Sequence, residues 1–325
     1  MAAIVLVHGI AQEQCAADLL EKDWLPALAG GVRKAGFGDI ADQLWRHSSV
    51  PGGIETRMAF YGNLFLRQDQ QGDDPGDLTG EEQELAEELA KEWLERAANR
   101  TSSPNSNPQR RAKEREIAEA ELAFVEGKIG REEAGAGRVV RKAMKSLIRL
   151  RWFAPLGMAF AERFVVKALS QVSRYLTDER IRKAALKAVL DLTGSDTKII
   201  IGHSLGSVVA YEAVHMTNHL LPLFVTIGSP LGLDTVIYPK LRPQPPTYPG
   251  KVLRWVNLAD TDDLVAAEPD LTKFFSGGIP STARFEATHT VDNGTDPHNA
   301  AFYLSKAALG KPVGETLRGG IQTVG

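Results

Sequence analysis

Lys198-Ile199-Ile200-Ile201 runs directly into Gly202-His203-Ser204-Leu205-Gly206, and Ser204 to Thr217 then carries a helical pattern. A short β-branched run reads as a buried strand, and Gly-x-Ser-x-Gly at its end reads as a tight strand-to-helix turn. Such a turn forces its serine into a strained backbone conformation at the carboxyl edge of a sheet, hydroxyl outward, while the small flanking residues let strand and helix approach. A plain helix N-cap is the blander reading of Ser204. The placement at a strand-helix junction favours the elbow.

The same alternation extends outward to both ends of the chain. Ile4 to Val7 reads as a buried strand and Asp18 to Ala35 as a helix stopped by Gly36. Glu55 to Phe60, Leu223 to Ile227 and Val252 to Leu258 read as further strands, Glu286 to Val291 as the last one, and His298 to Leu309 as a helix. This pattern predicts an α/β fold: a mostly parallel sheet with helices on both faces.

The middle differs. Leu78, Leu85, Leu89 and Trp93 mark one face of an acidic helix, Asn99 to Gln109 is a loop, and Arg110 to Ile129 a second charged helix. Val139 to Trp152 is basic and amphipathic, and Leu156 to Leu176 carries a broad apolar stripe. The expected organisation is therefore a core of residues 1–72 and 177–325 with a large helical cap inserted at 73–176. Asp73 to Glu95 holds ten acids against one Lys, and Arg138 to Lys167 eight basic residues against one acid. The basic stretch could touch an anionic membrane surface; packing of the two charged regions against each other explains them as well.

With 325 residues, 43% of them hydrophobic, the chain can bury a core without staples. Its formal charge of −3 leaves no global positive field, so nucleic acid is not an expected partner. One cysteine, Cys15, excludes an internal disulfide framework and a Cys-rich metal centre, which suits a cytoplasmic location. Ile4 to Val7 is too short for a signal core, and Trp152 to Ala161 too short and too interrupted for a membrane span. Asp292 to Asp296 offers oxygens but lacks the length and closing Glu of an EF-hand loop, so turn chemistry is expected there, and no metal or cofactor is.

A serine hydroxyl needs an imidazole to take its proton and a carboxylate to orient that imidazole. Among the histidines after Ser204, His215 and His219 lie on or just past the elbow helix, too near to fold back. His298 leaves a Gly/Asp/Pro-rich loop, Asn293 to Pro297, and is the first choice; His289, inside a strand pattern, is the second. Asp260, Asp262 and Asp263 all follow the fifth strand run and remain open on these grounds.

Val5-Leu6-Val7-His8-Gly9, Ile201 to Gly206, Thr226-Ile227-Gly228-Ser229-Pro230-Leu231-Gly232 and Trp255 to Val265, in this order, resemble the α/β-hydrolases. More narrowly the set is similar to lipase-like serine esterases related to the PGAP-type deacylases. The resemblance implies the order Ser, Asp, His, and selects Asp263, before Leu264-Val265, with Asp260 as second choice. It also implies an oxyanion hole from the backbone N–H of Leu205 and of Ile10 or Ala11, with His8 fixing the loop. The expected activity is hydrolysis of a small-molecule or lipid acyl ester without a cofactor. A thioester, lactone or amide would use the same triad, and a non-catalytic scaffold or membrane-surface protein is the alternative of a different class. Oligomeric state leaves no signature in the sequence.

Overall fold

A computed structural model describes residues 1–46, 53–66, 78, 80–98, 112, 115–116, 119–120, 123, 158–266 and 268–321. Among the described residues six strands form one sheet: β1 (Ile4–Val7), β2 (Thr56–Ala59), β3 (Ile199–His203), β4 (Leu223–Ile227), β5 (Arg254–Asp260) and β6 (Arg284–Val291). Their order is β2-β1-β3-β4-β5-β6, and every neighbouring pair is parallel. The runs are apolar throughout because both faces are covered.

Alternate residues point to opposite faces, and each face has its own helices. Ile4, Leu6, Ile199, Ile201, Leu223 and Val225 pack with α1 (Ala17–Lys34), α2 (Gly38–Trp45), α8 (Ala300–Leu304) and α9 (Ala307–Ile321). Val5, Val7, Ile200, Phe224 and Trp255 pack with α3 (Gly80–Ala98), α4 (Met158–Thr177), α5 (Glu179–Leu190) and α6 (Leu205–Met216). A short α7 (Thr272–Phe275) adds Phe275 to this second cluster. The result is an α/β arrangement with three layers.

Several expectations are corrected. The fifth strand spans Arg254–Asp260 rather than Val252 to Leu258, because parallel pairing with β6 continues to Asp260 opposite Val291. Asp260 therefore ends the strand instead of following it. The helix expected at His298 to Leu309 is two helices: Asn299 caps α8, its side chain accepting from Ala301 N and Phe302 N, and α9 runs on to Ile321. His298 thus lies in the loop before α8. Helices α2 and α5 carry no expectation above; α5 is fastened by a buried Arg182–Glu212 ion pair that also takes a hydrogen bond from Tyr175 Oη at 2.8 Å.

Within residues 73–176, expected as an insertion, α3 buries Leu85, Leu89 and Trp93 on one face as its spacing predicts, and α4 packs against α3. The Asn99 to Gln109 loop and the Val139 to Trp152 helix lie outside the described residues, as do most of the Arg110 to Ile129 helix and of the basic stretch Arg138 to Lys167. Among the described residues no helix is long and apolar enough to cross a membrane.

Candidate active site

The strand order reverses at β1: the chain steps from β1 out to β2, returns to β3 on the other side, and continues to β6. Loops leaving β1 and β3 therefore diverge, and they open a crevice above the carboxyl ends of these strands. Ser204 stands there at the end of β3, with φ 54° and ψ −133°. Gly9, at the end of β1, crosses directly over it: a Cβ on Gly9 would lie 2.7 Å from Ser204 Cβ. No larger residue fits between the two loops.

The structure brings Ser204, His298 and Asp263 together. His298 Nε2 is 3.0 Å from Ser204 Oγ, and His298 Nδ1 is 2.8 Å from Asp263 Oδ2. An ionised carboxylate only accepts, so Nδ1 carries the ring proton and Nε2 is left to accept from the serine hydroxyl. Asp263 is buried and its other oxygen accepts from Val265 N at 3.0 Å and Ala266 N at 3.3 Å. Burial pushes its carboxyl pKa up, but the His298 ring and the hydrogen bonds from His298, Tyr303 and Ala266 outweigh that and hold it below the ordinary aspartate value. The chain matches no family model, no curated protein and no solved structure. Geometry alone must therefore speak for the site.

The second-choice residues sit elsewhere. Asp260 accepts from Asp262 N at 2.6 Å and from Asn293 N, so it pins the loop that carries His298 and does not meet the ring. Burial raises its pKa to about 6. Asp262 is the residue that closes this turn. His289 lies on β6 opposite Leu258 and meets Glu286 at 3.2 Å, and it does not line the cavity at Ser204.

Two further histidines are structural supports in their neutral form. His8 Nδ1 donates to Gly9 O at 2.7 Å and its Nε2 accepts from Tyr61 N at 3.1 Å; burial lowers its pKa to about 4. His203 Nε2 donates to the backbone carbonyl of His298 at 2.9 Å, and burial lowers its pKa to about 3. Residues that sequence reasoning missed are Tyr303, whose hydroxyl reaches Asp263 Oδ2, and Gln171, which accepts from Ala11 N.

The candidate oxyanion donors separate on position. Leu205 opens α6, where a backbone N–H has no acceptor within the helix. The Ala11 N–H is occupied by Gln171 Oε1 at 2.9 Å. Ile10 lines the same cavity as Ser204.

That cavity has a volume of about 670 Å³. Ile10, Trp93, Leu264 and Val265 give it an apolar wall on the α3 side, while Lys22, Asp23, Asp296 and Asn299 make another part polar. Lys22 and Asp23 are exposed, so the cavity opens to solvent past the first turns of α1. Cys15 is half-buried and unpaired with any other sulfur. Among the described residues no group of three or more His, Cys, Asp or Glu could hold a metal ion.

Proposed function

We propose that this chain is a serine hydrolase of the α/β-hydrolase type that cleaves carboxylic esters through an acyl-enzyme. One observation carries the reading: an unbroken hydrogen-bonded series, Ser204 to His298 to Asp263, at the switch point of a parallel sheet and open to a cavity.

In the proposed mechanism Ser204 Oγ attacks the ester carbonyl carbon while His298 Nε2 takes the hydroxyl proton. Negative charge moves to the carbonyl oxygen, where the Leu205 and Ile10 N–H groups stabilise it. As the tetrahedral centre collapses, the carbon–oxygen bond to the leaving alcohol breaks and His298 returns its proton to that oxygen. Water then repeats the sequence on the acyl-enzyme and releases the acid. Asp263 holds the ring in the required tautomer throughout and faces the imidazolium when it forms.

Polarity supports an ester with an apolar acyl part. His298 must reach the leaving oxygen, and the residues beside it, Asp296 and Asn299, are polar; the wall of Trp93, Leu264 and Val265 suits the acyl group. The inserted segment supplies Trp93 to that wall, which supports its reading as a cap over an apolar site.

The test is fluorophosphonate labelling with mass mapping, followed by ester hydrolysis over a range of acyl lengths, on wild type and Ser204→Ala. Labelling at Ser204, with activity lost in the variant, supports the reading. No labelling and no hydrolysis of any ester, thioester, lactone or amide would leave a scaffold role. Cleavage of short aryl esters but never of phospholipids or long-chain glycerides would remove the lipid version alone.

A further inference from the structure

We propose that Gln171, on α4, is a positioning residue that holds the loop after β1 so that the Ile10 N–H faces the oxyanion formed on the substrate carbonyl when Ser204 attacks. This inference rests on the hydrolytic reading of Ser204.

The loop needs holding. Ala11 adopts φ 60°, the left-handed region that a residue with a Cβ enters only at a cost of about 1–2 kcal/mol. Its N–H donates to Gln171 Oε1 at 2.9 Å, a bond spanning 160 positions of sequence. Gln171 is 3% exposed, so its amide has no ready substitute in water, and Ala11 is half-buried beside the cavity.

The orientation of the Gln171 amide is fixed by its other contact. Gln171 Nε2 donates to Glu13 Oε2 at 3.0 Å, and Glu13 is also ion-paired with Lys167, one turn earlier on α4. A carboxylate cannot donate, so the amide NH2 must face Glu13 and the amide oxygen must face Ala11. Glu13, itself buried, lies two residues beyond Ala11. Two points of the loop are thus tied to one helix face.

What this tie controls is the approach of the loop to Ser204. Gly9 passes so close to Ser204 that an added Cβ would lie 2.7 Å from Ser204 Cβ, and Ile10 lines the same cavity as Ser204. With Ala11 N–H occupied by Gln171, Ile10 N–H is the one of the two candidate donors left for the oxyanion. Without the Gln171 oxygen, Ala11 N–H would lose its tie to α4, and the strained turn would relax by rotating the adjoining peptides. Ile10 N–H would then leave the position where charge develops. A donor displaced in this way costs about 10²–10³ in turnover at most, because it acts on the transition state rather than on substrate binding.

The experiment compares wild type with Gln171→Met, which keeps the stem volume but has no strong acceptor, and with the exchange Glu13→Gln/Gln171→Glu. In the exchange, the carboxylate at 171 accepts from Ala11 N–H and pairs with Lys167 while the new amide takes over as donor. Readouts are kcat and KM on an aryl ester, affinity for a boronic acid that mimics the tetrahedral intermediate, and Tm. Expected for Gln171→Met is a fall in kcat of about 10–100-fold with KM within about threefold, and an equal loss of boronate affinity. The exchange should return kcat to within about threefold of wild type, while Gln171→Glu alone, facing Glu13, should stay low. The inference is overturned if Gln171→Met keeps kcat and boronate affinity within about twofold of wild type. It is equally overturned if Gln171→Met and the exchange both lose activity only in step with a large fall in Tm. Failure of the hydrolytic reading looks different: wild type itself would then neither turn over nor bind boronate, and this inference would fall with it.

Discussion

The Tyr303 hydroxyl donates to Asp263 Oδ2 at 2.8 Å, the same oxygen that the His298 ring approaches, and it accepts from Asp260 N at 2.7 Å. One phenol therefore ties the Asp263 carboxylate to the end of β5. Its own pKa lies well above the usual tyrosine value, through burial first and then the neighbouring Asp263 charge, so it remains a donor. Tyr303→Phe removes one stabilising bond from the Asp263 charge and leaves Asp260 N–H buried without its partner. We expect a loss of about 1–3 kcal/mol in urea unfolding, and a fall in kcat of about tenfold, smaller than for removal of Ser204, His298 or Asp263. An unchanged unfolding midpoint would show that the phenol is not structural.

Asp263→Asn tests the carboxylate directly. An amide can present its NH2 to the imidazole, which then places the ring proton on Nε2 and removes the acceptor for Ser204. The expected loss in kcat is about 10⁴-fold with the fold intact. The same carboxylate has a stability signature. Its folded pKa is depressed, so its stabilising contribution is present above the ordinary value of 3.8 and disappears as pH falls below it. Acid unfolding of wild type should therefore show a component near and below that pH which the Asn variant lacks.

The parts of this molecule that local rules govern were legible in the sequence. Ile199 to Gly206 read correctly as strand and turn because both signals are short-range, and Ser204 adopts the positive φ that such a turn requires. His298 stood out through its Gly/Pro/Asp-rich approach. Asp263 did not stand out from Asp260 and Asp262 on residue grounds, because a two-residue shift in the end of β5 decides which carboxylate faces the ring. Tyr303 and His203 act through contacts with residues 40 and 95 positions away, which no local pattern encodes. Gln171 left a faint trace: a polar residue at helical spacing between the buried Ala168 and Tyr175.

Gly228 limits what can stand beneath the Asp263–His298 pair. It has φ +54°, and a Cβ there would lie 2.9 Å from Asp263 Oδ2 and 3.2 Å from His298 Nδ1. Gly228→Ala is thus strained in its backbone and presses on the very bond that orients the imidazole. We expect kcat to drop by about 10²-fold, as for a misplacement of about 1 Å in a reacting group. Substrate KM should change little, and Ser204 should remain reactive towards a fluorophosphonate at a reduced rate. Full activity in the alanine variant would mean that the pair tolerates displacement and that the geometry at Gly228 is incidental.

Asp260 gives stability a pH dependence opposite in sign to that of Asp263. Burial raises its pKa from 3.8 to about 6, with Asp263 and Asp262 adding repulsion and the Asn293 and Asp262 N–H groups only partly offsetting it. Between those two values the folded protein holds a proton that the unfolded chain has released, so stability rises as pH falls through this window. Above pH 6 the fold carries the cost of an ionised, buried carboxylate. Asp260→Asn has no such titration, although its amide satisfies only one of the two N–H donors at this corner. Urea unfolding of both proteins at several pH values between 7.5 and 5 isolates the effect. The wild type should gain stability relative to the variant as pH is lowered across this range, with the gain beginning near pH 6 and steepest below it. A difference that stays flat would mean that Asp260 is ionised at little cost, and its hydrogen bonds to Asn293 and Asp262 would then hold the His298 loop equally well at every pH in the range.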